Sequence, residues 1–242
     1  MNETMDTEAS KNVLDWKRIR HLFKLGIIAA ITVLVGDMLL GWGTADTGLA
    51  GAESYFSRYL TVSDSRIFWS ALLGLIGIPI ETMSYFGIYR LIASRSPKRA
   101  HAYRAGLIGM LTFGAFVHVI CCAAVFYYKK MNAVVPGNAA ADTVRFASFF
   151  LLPATVIFAV FFFITAGVQI AAFAGNNTPY PKWCLIFNGL SGSVVIAVMK
   201  LIGNYPLSNA LSTGWISLGS IFMLSGLLIM SMKAEGAYEN TH

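Results

Sequence analysis

This chain has very little cysteine and very little charge. Its three cysteines among 242 residues, the adjacent Cys121 and Cys122 and the distant Cys184, offer neither a disulfide framework nor a CxxC redox pair. Charged residues make up 12% of the sequence, about half of the roughly 25% usual in soluble domains. Histidine is scarce as well, with four in all, and His21, His101 and His242 fall in tails or loops. Neither HExxH nor GxSxG occurs, so no helical zinc-protease site and no nucleophile elbow is written into the chain. Short segments of alternating hydrophobicity, the mark of a membrane barrel, are also absent.

What the chain does have is apolar sequence, 56% of its residues. It is gathered into six blocks, residues 22–43, 67–92, 105–128, 146–174, 183–203 and 209–232. Each exceeds the roughly 20 residues that cross a hydrocarbon core as a helix. Lipid offers backbone amides no partner, so such blocks must satisfy their own hydrogen bonds as helices. The pattern predicts an all-α integral membrane protein, a single membrane domain of about six transmembrane helices over residues 22–232. Residues 1–21 form a polar N-terminal segment and residues 233–242 a short tail. The first block is long and lacks a small-residue cleavage site, which reads as a permanent helix rather than a secretory signal. Asn204-Tyr205-Pro206 breaks the chain between the last two blocks and predicts a tight hairpin there.

Lysine and arginine near helix ends are retained on the cytoplasmic side. Lys11, Lys17, Arg18, Arg20 and Lys24 precede the first block; Arg90, Arg95, Lys98, Arg99 and Arg104 surround the turn between the second and third. Lys182 and Lys233 fall on that same side, against Arg58, Arg66, Lys129, Lys130, Arg145 and Lys200 on the other. This asymmetry predicts both termini inside, in a multi-pass protein of the inner or plasma membrane. The basic clusters read as topology signals and lipid-headgroup contacts, and no nucleic-acid motif accompanies them. Outside, residues 44–66 mix Tyr55, Phe56 and Tyr59 with charges, a composition suited to the membrane surface, either as a plain connector or as a lid over an outward-facing cavity.

Ionisable side chains at membrane depth are costly and need a partner, a wet cavity or a function. Asp37 lies in the outer half of the first predicted helix, Glu81 near the middle of the second and His118 near the middle of the third. Counting about 1.5 Å per residue puts Glu81 and His118 within roughly 5 Å of one depth, with Asp37 further out. Gly74, Gly77, Glu81, Ser84 and Tyr85 recur at helical spacing, as do Gly106, Gly114, His118, Cys121 and Cys122, so both faces read as close-packing surfaces. Pro79 is expected to kink its helix and free a carbonyl near Glu81.

A carboxyl beside an imidazole can donate and accept protons at physiological pH. The same three residues would serve equally as a clamp that only fixes helix packing. Tyr85, Ser84, Asn188, Ser191, Lys200 and Asn204 are candidate substrate contacts, with Gln169, Ser217 and Ser220 as further polar groups facing the bundle. With one histidine in the apolar blocks, no metal site and no cofactor is expected. Two functions remain open on these grounds. One is an enzyme that isomerises, cyclises or hydrolyses a lipid or isoprenoid-like substrate, with Glu81 as proton donor, His118 as base and Asp37 as orienting or second acid. The other is a proton-coupled transporter, and a ligand-binding sensor without chemistry stands behind both. Expected partners are membrane lipids, a hydrophobic small molecule and a second copy of the chain.

Overall fold

The computed structural model describes residues 14–239, so Lys11, His242 and the outermost parts of both tails lie outside the described residues. Every regular element among the described residues is helical. The long helices are α1 (Trp16–Gly41), α3 (Asp64–Ser84), α5 (Pro97–Val134), α7 (Leu152–Ala174) and α10 (Trp215–Glu239). The short ones are α2 (Gly51–Ser57), α4 (Phe86–Ala93), α6 (Pro136–Phe146), α8 (Ser193–Ile202) and α9 (Pro206–Thr213). Counting α3 with α4 and α6 with α7, five helical stretches are long and apolar enough to cross a membrane. This is the build of a multi-pass membrane protein.

Local chemistry sets the helix ends. The Asp15 carboxylate accepts from the Arg18 backbone N–H at 2.9 Å and starts α1. Ser63 caps α3 in the same way, accepting from Arg66 at 3.3 Å. Such caps satisfy amides that the first turn leaves without partners. Pro97, Pro136 and Pro206 occupy the first turns of α5, α6 and α9, where a missing N–H costs nothing.

Residues 183–203 are not the continuous helix their composition predicts. They form a 3-10 turn over Lys182–Ile186, a second over Gly189–Gly192, and then the ten-residue α8. The cause lies at Asn188, whose backbone is extended and whose side chain accepts from Leu190 N–H at 2.9 Å and donates to the Leu185 carbonyl at 2.8 Å. That local bonding competes with the helical ladder. The glycines fix the rest: a Cβ on Gly192 would overlap the Trp215 carbonyl, and one on Gly219 the Gly189 carbonyl. Backbone here packs directly on the backbone of α10. The predicted break near Asn204 is present, with Gly203 at φ 103°, a left-handed conformation that suits glycine.

Side-chain ties define the two ends of the bundle. At one end Arg20 pairs with Glu235 at 2.6 Å, bringing the start of α1 to the end of α10. Arg95 and Arg99 there donate to the Thr178 and Ala171 carbonyls at 3.0 and 3.2 Å. At the other end Arg66 donates to the Leu39 and Trp42 carbonyls at 2.9 and 3.0 Å, satisfying the last turn of α1. Asn204 bonds both ways with Ala45 at 3.1 and 2.8 Å, and Asn209 donates to Gly43 at 2.7 Å. Two apolar clusters fill the interior. One is built on Phe23, Tyr103, Leu107, Met110, Phe173 and Leu224; the other, toward the Arg66 end, on Leu40, Val62, Cys122, Val125 and Tyr128.

Candidate functional site

Close helix packing makes the site possible. A Cβ on Gly74 would overlap the imidazole of His118, so the ring of α5 rests directly on the backbone of α3. Gly36 of α1 lies against Ser70 and Leu73, and Gly77 of α3 against Val33. In a bilayer, where lipid is as apolar as leucine, such small residues let packing replace the hydrophobic effect as the force between helices.

On this scaffold α1 presents Asp37 to α5. Asp37 Oδ1 stands 3.4 Å from His118 Nδ1, and Asp37 Oδ2 accepts from the Ser217 hydroxyl of α10 at 2.9 Å. The other imidazole nitrogen, Nε2, lies 2.9 Å from the Ser70 carbonyl oxygen and 3.5 Å from the Ser70 hydroxyl. A carbonyl only accepts, so Nε2 carries hydrogen there. In neutral histidine Nδ1 is then a bare lone pair facing a carboxyl. The contact is favourable only if one proton lies between the two groups, on oxygen or on nitrogen. Asp37 and His118 are thus placed so that one proton can be shared between oxygen and nitrogen. Asp37 is 8% exposed, so an uncompensated charge would be expensive there.

Glu81 is a separate acid of the same chamber. Its Oε1 accepts from the Tyr85 hydroxyl at 3.0 Å, and that hydroxyl lies 2.5 Å from Ser220 Oγ on α10. Asp37, Glu81 and His118 all line one cavity of about 200 Å³. The rest of its wall is mostly apolar, from Val33, Leu40, Ile78, Met110, Val117, Phe158 and Ile216. The direct partner of His118 is Asp37, whereas the sequence reading pairs His118 with Glu81.

The other predicted contacts divide. Tyr85 holds Glu81, and Ser84 donates to the Glu81 backbone carbonyl at 2.6 Å. Asn188 and Ser191 are consumed in the turn between the two 3-10 segments, where Ser191 donates to the Asn188 carbonyl at 2.5 Å. Lys200 is exposed on α8 and Asn204 is committed to Ala45. None of these four lines the cavity. Ser217 does, and Gln169 donates to the Phe187 carbonyl at 2.7 Å, tying α7 to the broken segment. Ser70, whose carbonyl sets the tautomer of His118, was missed; its one signal is a position four residues before Gly74 on the same face. The carbonyl freed by Pro79 is that of Leu75, which is exposed and outside the cavity wall.

Ser217 bonds Asp37 and not His118, and the Ser70 hydroxyl faces the hydrogen-bearing Nε2, so neither hydroxyl gives its proton to the imidazole as an acyl-transfer triad requires. Among the described residues no three His, Cys, Asp or Glu side chains converge as a metal site would need.

A second cavity of about 490 Å³ adjoins the first, and Leu40, Cys121 and Thr213 border both. Part of its wall is Tyr55, Phe56, Arg58 and Tyr59, from α2 and the turn after it. Burial, then the neighbouring Tyr55, hold the Tyr59 phenol above its ordinary range against the pull of Arg58. It is a neutral hydroxyl at physiological pH.

Fold and site together define an all-helical protein of membrane-spanning build with two carboxyls and one imidazole around a largely apolar chamber. The chain belongs to the family of unknown function DUF6796, which it matches over residues 1–234. It matches no curated protein and no solved structure.

Proposed function

We propose that the protein is a membrane-embedded enzyme that moves protons on a lipid or isoprenoid-like substrate, with Asp37 and His118 as one catalytic unit and Glu81 as the second acid. The observation that carries this reading is the Asp37–His118 contact on the same largely apolar chamber as Glu81. A water-poor chamber accepts a hydrocarbon chain, and proton transfer to carbon needs both a donor and an acceptor in reach. Glu81 gives its proton to one carbon, and the Asp37–His118 pair takes one from another. Tyr85 donates to the carboxylate left on Glu81, and the net proton count returns to its starting value when the two acids re-equilibrate. The same constellation serves hydrolysis if water enters as the nucleophile.

In this reading the chain crosses the inner or plasma membrane six times, both termini inside. Support for an even number comes from the Arg20–Glu235 pair and from the path of residues 182–202. That path leads from the neighbourhood of Trp16, whose ring lies 6.3 Å from that of Tyr180, to the end marked by Asn204 and Ala45. At roughly 2 Å per residue in the 3-10 turns and 1.5 Å in α8 it spans roughly 30–35 Å, about the thickness of the hydrocarbon core.

The test is to incubate the protein, in nanodiscs with native lipid extract, in water labelled with deuterium and oxygen-18. Deuterium appearing on carbon marks isomerisation or cyclisation, and oxygen-18 marks hydrolysis. Either should vanish in Asp37→Asn. No label in any lipid sinks the enzyme reading. Proton-coupled transport then takes its place, favoured by the broken fifth traverse, since interrupted helices at a binding site are a transporter feature.

A further inference from the structure

Arg58 is a cation with no acid beside it among the described residues. Its guanidinium donates to the Tyr55 and Tyr59 hydroxyls at 2.9 and 2.5 Å and lies over both rings, 4.3 and 4.6 Å from their centroids. Its Nε is buried and has no acceptor. A guanidinium is never deprotonated in a protein, and a partly desolvated, unneutralised one next to an apolar cavity is unfavourable until an anion arrives.

The surroundings hold the group in place. Asp46 N–H donates to Ser57 Oγ at 2.7 Å, and Ser54 Oγ donates to the Asp46 carbonyl at 2.7 Å, which closes the loop onto α2. A Cβ on Gly43 would overlap the Arg58 carbonyl, so the backbone at Arg58 is pressed against the end of α1. The side chain is fixed between two rings, and binding therefore costs little of its rotamer entropy.

Behind the guanidinium the 490 Å³ cavity falls within the roughly 300–1,000 Å³ range of small-molecule sites. Its inner wall is Leu40, Ala124, Val125, Leu151 and Trp215, and it continues past Leu40, Cys121 and Thr213 to the Asp37–His118 chamber. A ligand that matches both parts has anionic oxygens at one end and a hydrocarbon chain at the other.

We propose that this cavity binds an anionic amphiphile, a carboxylate or phosphate on an apolar chain, with its oxygens on Arg58 and the Tyr55 and Tyr59 hydroxyls and its chain directed toward Asp37 and His118. The assignment deepens the enzyme reading and rests on it only for the claim that the chain is what reacts. It narrows the substrate class from any lipid to a singly headed acid.

The experiment titrates the full-length protein, in mild detergent, with hexadecyl phosphate, hexadecanol and inorganic phosphate, following one-to-one complexes by native mass spectrometry. Hexadecyl phosphate should bind at least about tenfold more tightly than either half alone, because charge-assisted hydrogen bonds and chain burial both contribute. Arg58→Gln should remove that advantage, while Arg58→Lys retains part of it. Leu151→Trp, which fills the chain side and leaves Arg58 intact, should weaken hexadecyl phosphate and is the control should Arg58→Gln fold poorly. Equal binding of hexadecanol, or unchanged binding in both Arg58→Gln and Leu151→Trp, overturns the proposal. Inorganic phosphate binding as well as the amphiphile overturns it too, leaving a free-anion site. In the wild-type protein, absent isotope uptake with intact Arg58-dependent binding refutes the enzyme reading alone. Uptake without Arg58-dependent binding refutes this one alone.

Discussion

His118 meets Asp37 through Nδ1 at 3.4 Å while its Nε2 is committed to the Ser70 carbonyl at 2.9 Å. The tautomer of the ring is therefore set by the backbone of α3, and the proton that matters for chemistry is the one between Nδ1 and the carboxyl. Several consequences can be measured.

Asp37→Asn keeps a donor for Nδ1 and an acceptor for Ser217, so the fold should tolerate it. Asp37→Ala leaves Nδ1 and the Ser217 hydroxyl buried without partners, at about 1–3 kcal/mol. Thermal unfolding in detergent should rank wild type and Asp37→Asn together, with Asp37→Ala several degrees lower. Equal melting of the two variants would show that the pair contributes nothing to packing.

Gly74→Ala places a methyl group into the imidazole of His118. Overpacking of this kind costs about 1–3 kcal/mol. In a His118→Ala background the same change should be much cheaper, because the colliding ring is gone. A double-mutant cycle on melting temperature measures the difference, and strictly additive effects would place His118 elsewhere.

Tyr85→Phe removes the hydroxyl that bridges Glu81 and Ser220. The Glu81 carboxyl then loses its Tyr85 donor, and stability should fall by about 1–3 kcal/mol. Combining it with Glu81→Leu should recover most of the loss, since neither polar group then needs a partner. A double variant as unstable as the sum of both singles would argue against the pair.

Single cysteines at Lys17 and Lys233, in a background with Cys121, Cys122 and Cys184 replaced by alanine, should react with an impermeant maleimide from the same side of sealed vesicles. Cysteines at Lys129 and Lys200 should react from the other. Labelling of position 233 together with position 129, and of position 200 together with position 17, would contradict an even number of crossings.

Much of the site was readable before the fold was known. Asp37, Glu81 and His118 attract notice because charge is rare in apolar blocks, and a rare buried acid must find a partner. Ser84 and Tyr85 follow from helical spacing with Glu81. Asn188, Ser191, Lys200 and Asn204 lie away from the chamber: Asn188 and Ser191 satisfy backbone groups around a 3-10 segment, Asn204 ties a loop, and Lys200 is exposed, none of which is legible from a polar residue in or beside an apolar block. Arg58 was counted as a topology charge, since its lack of an acidic partner is not a property of its neighbours in sequence.

Composition and block length alone determined that this chain is helical and built to cross a membrane, because backbone amides in lipid have no partner but their own helix. Sequence also determined where charge would be too costly to be incidental. Only the tertiary structure decided which acid meets His118, since that depends on how Gly36, Gly74 and Gly77 let α1, α3 and α5 approach. It also decided that residues 182–202 form a broken path rather than one helix, because side-chain bonds of Asn188 and backbone contact with α10 outweigh the helical preference of an apolar run. Hydrophobicity acts residue by residue along the chain, whereas packing and hydrogen-bond pairing depend on neighbours that the chain brings together only when folded.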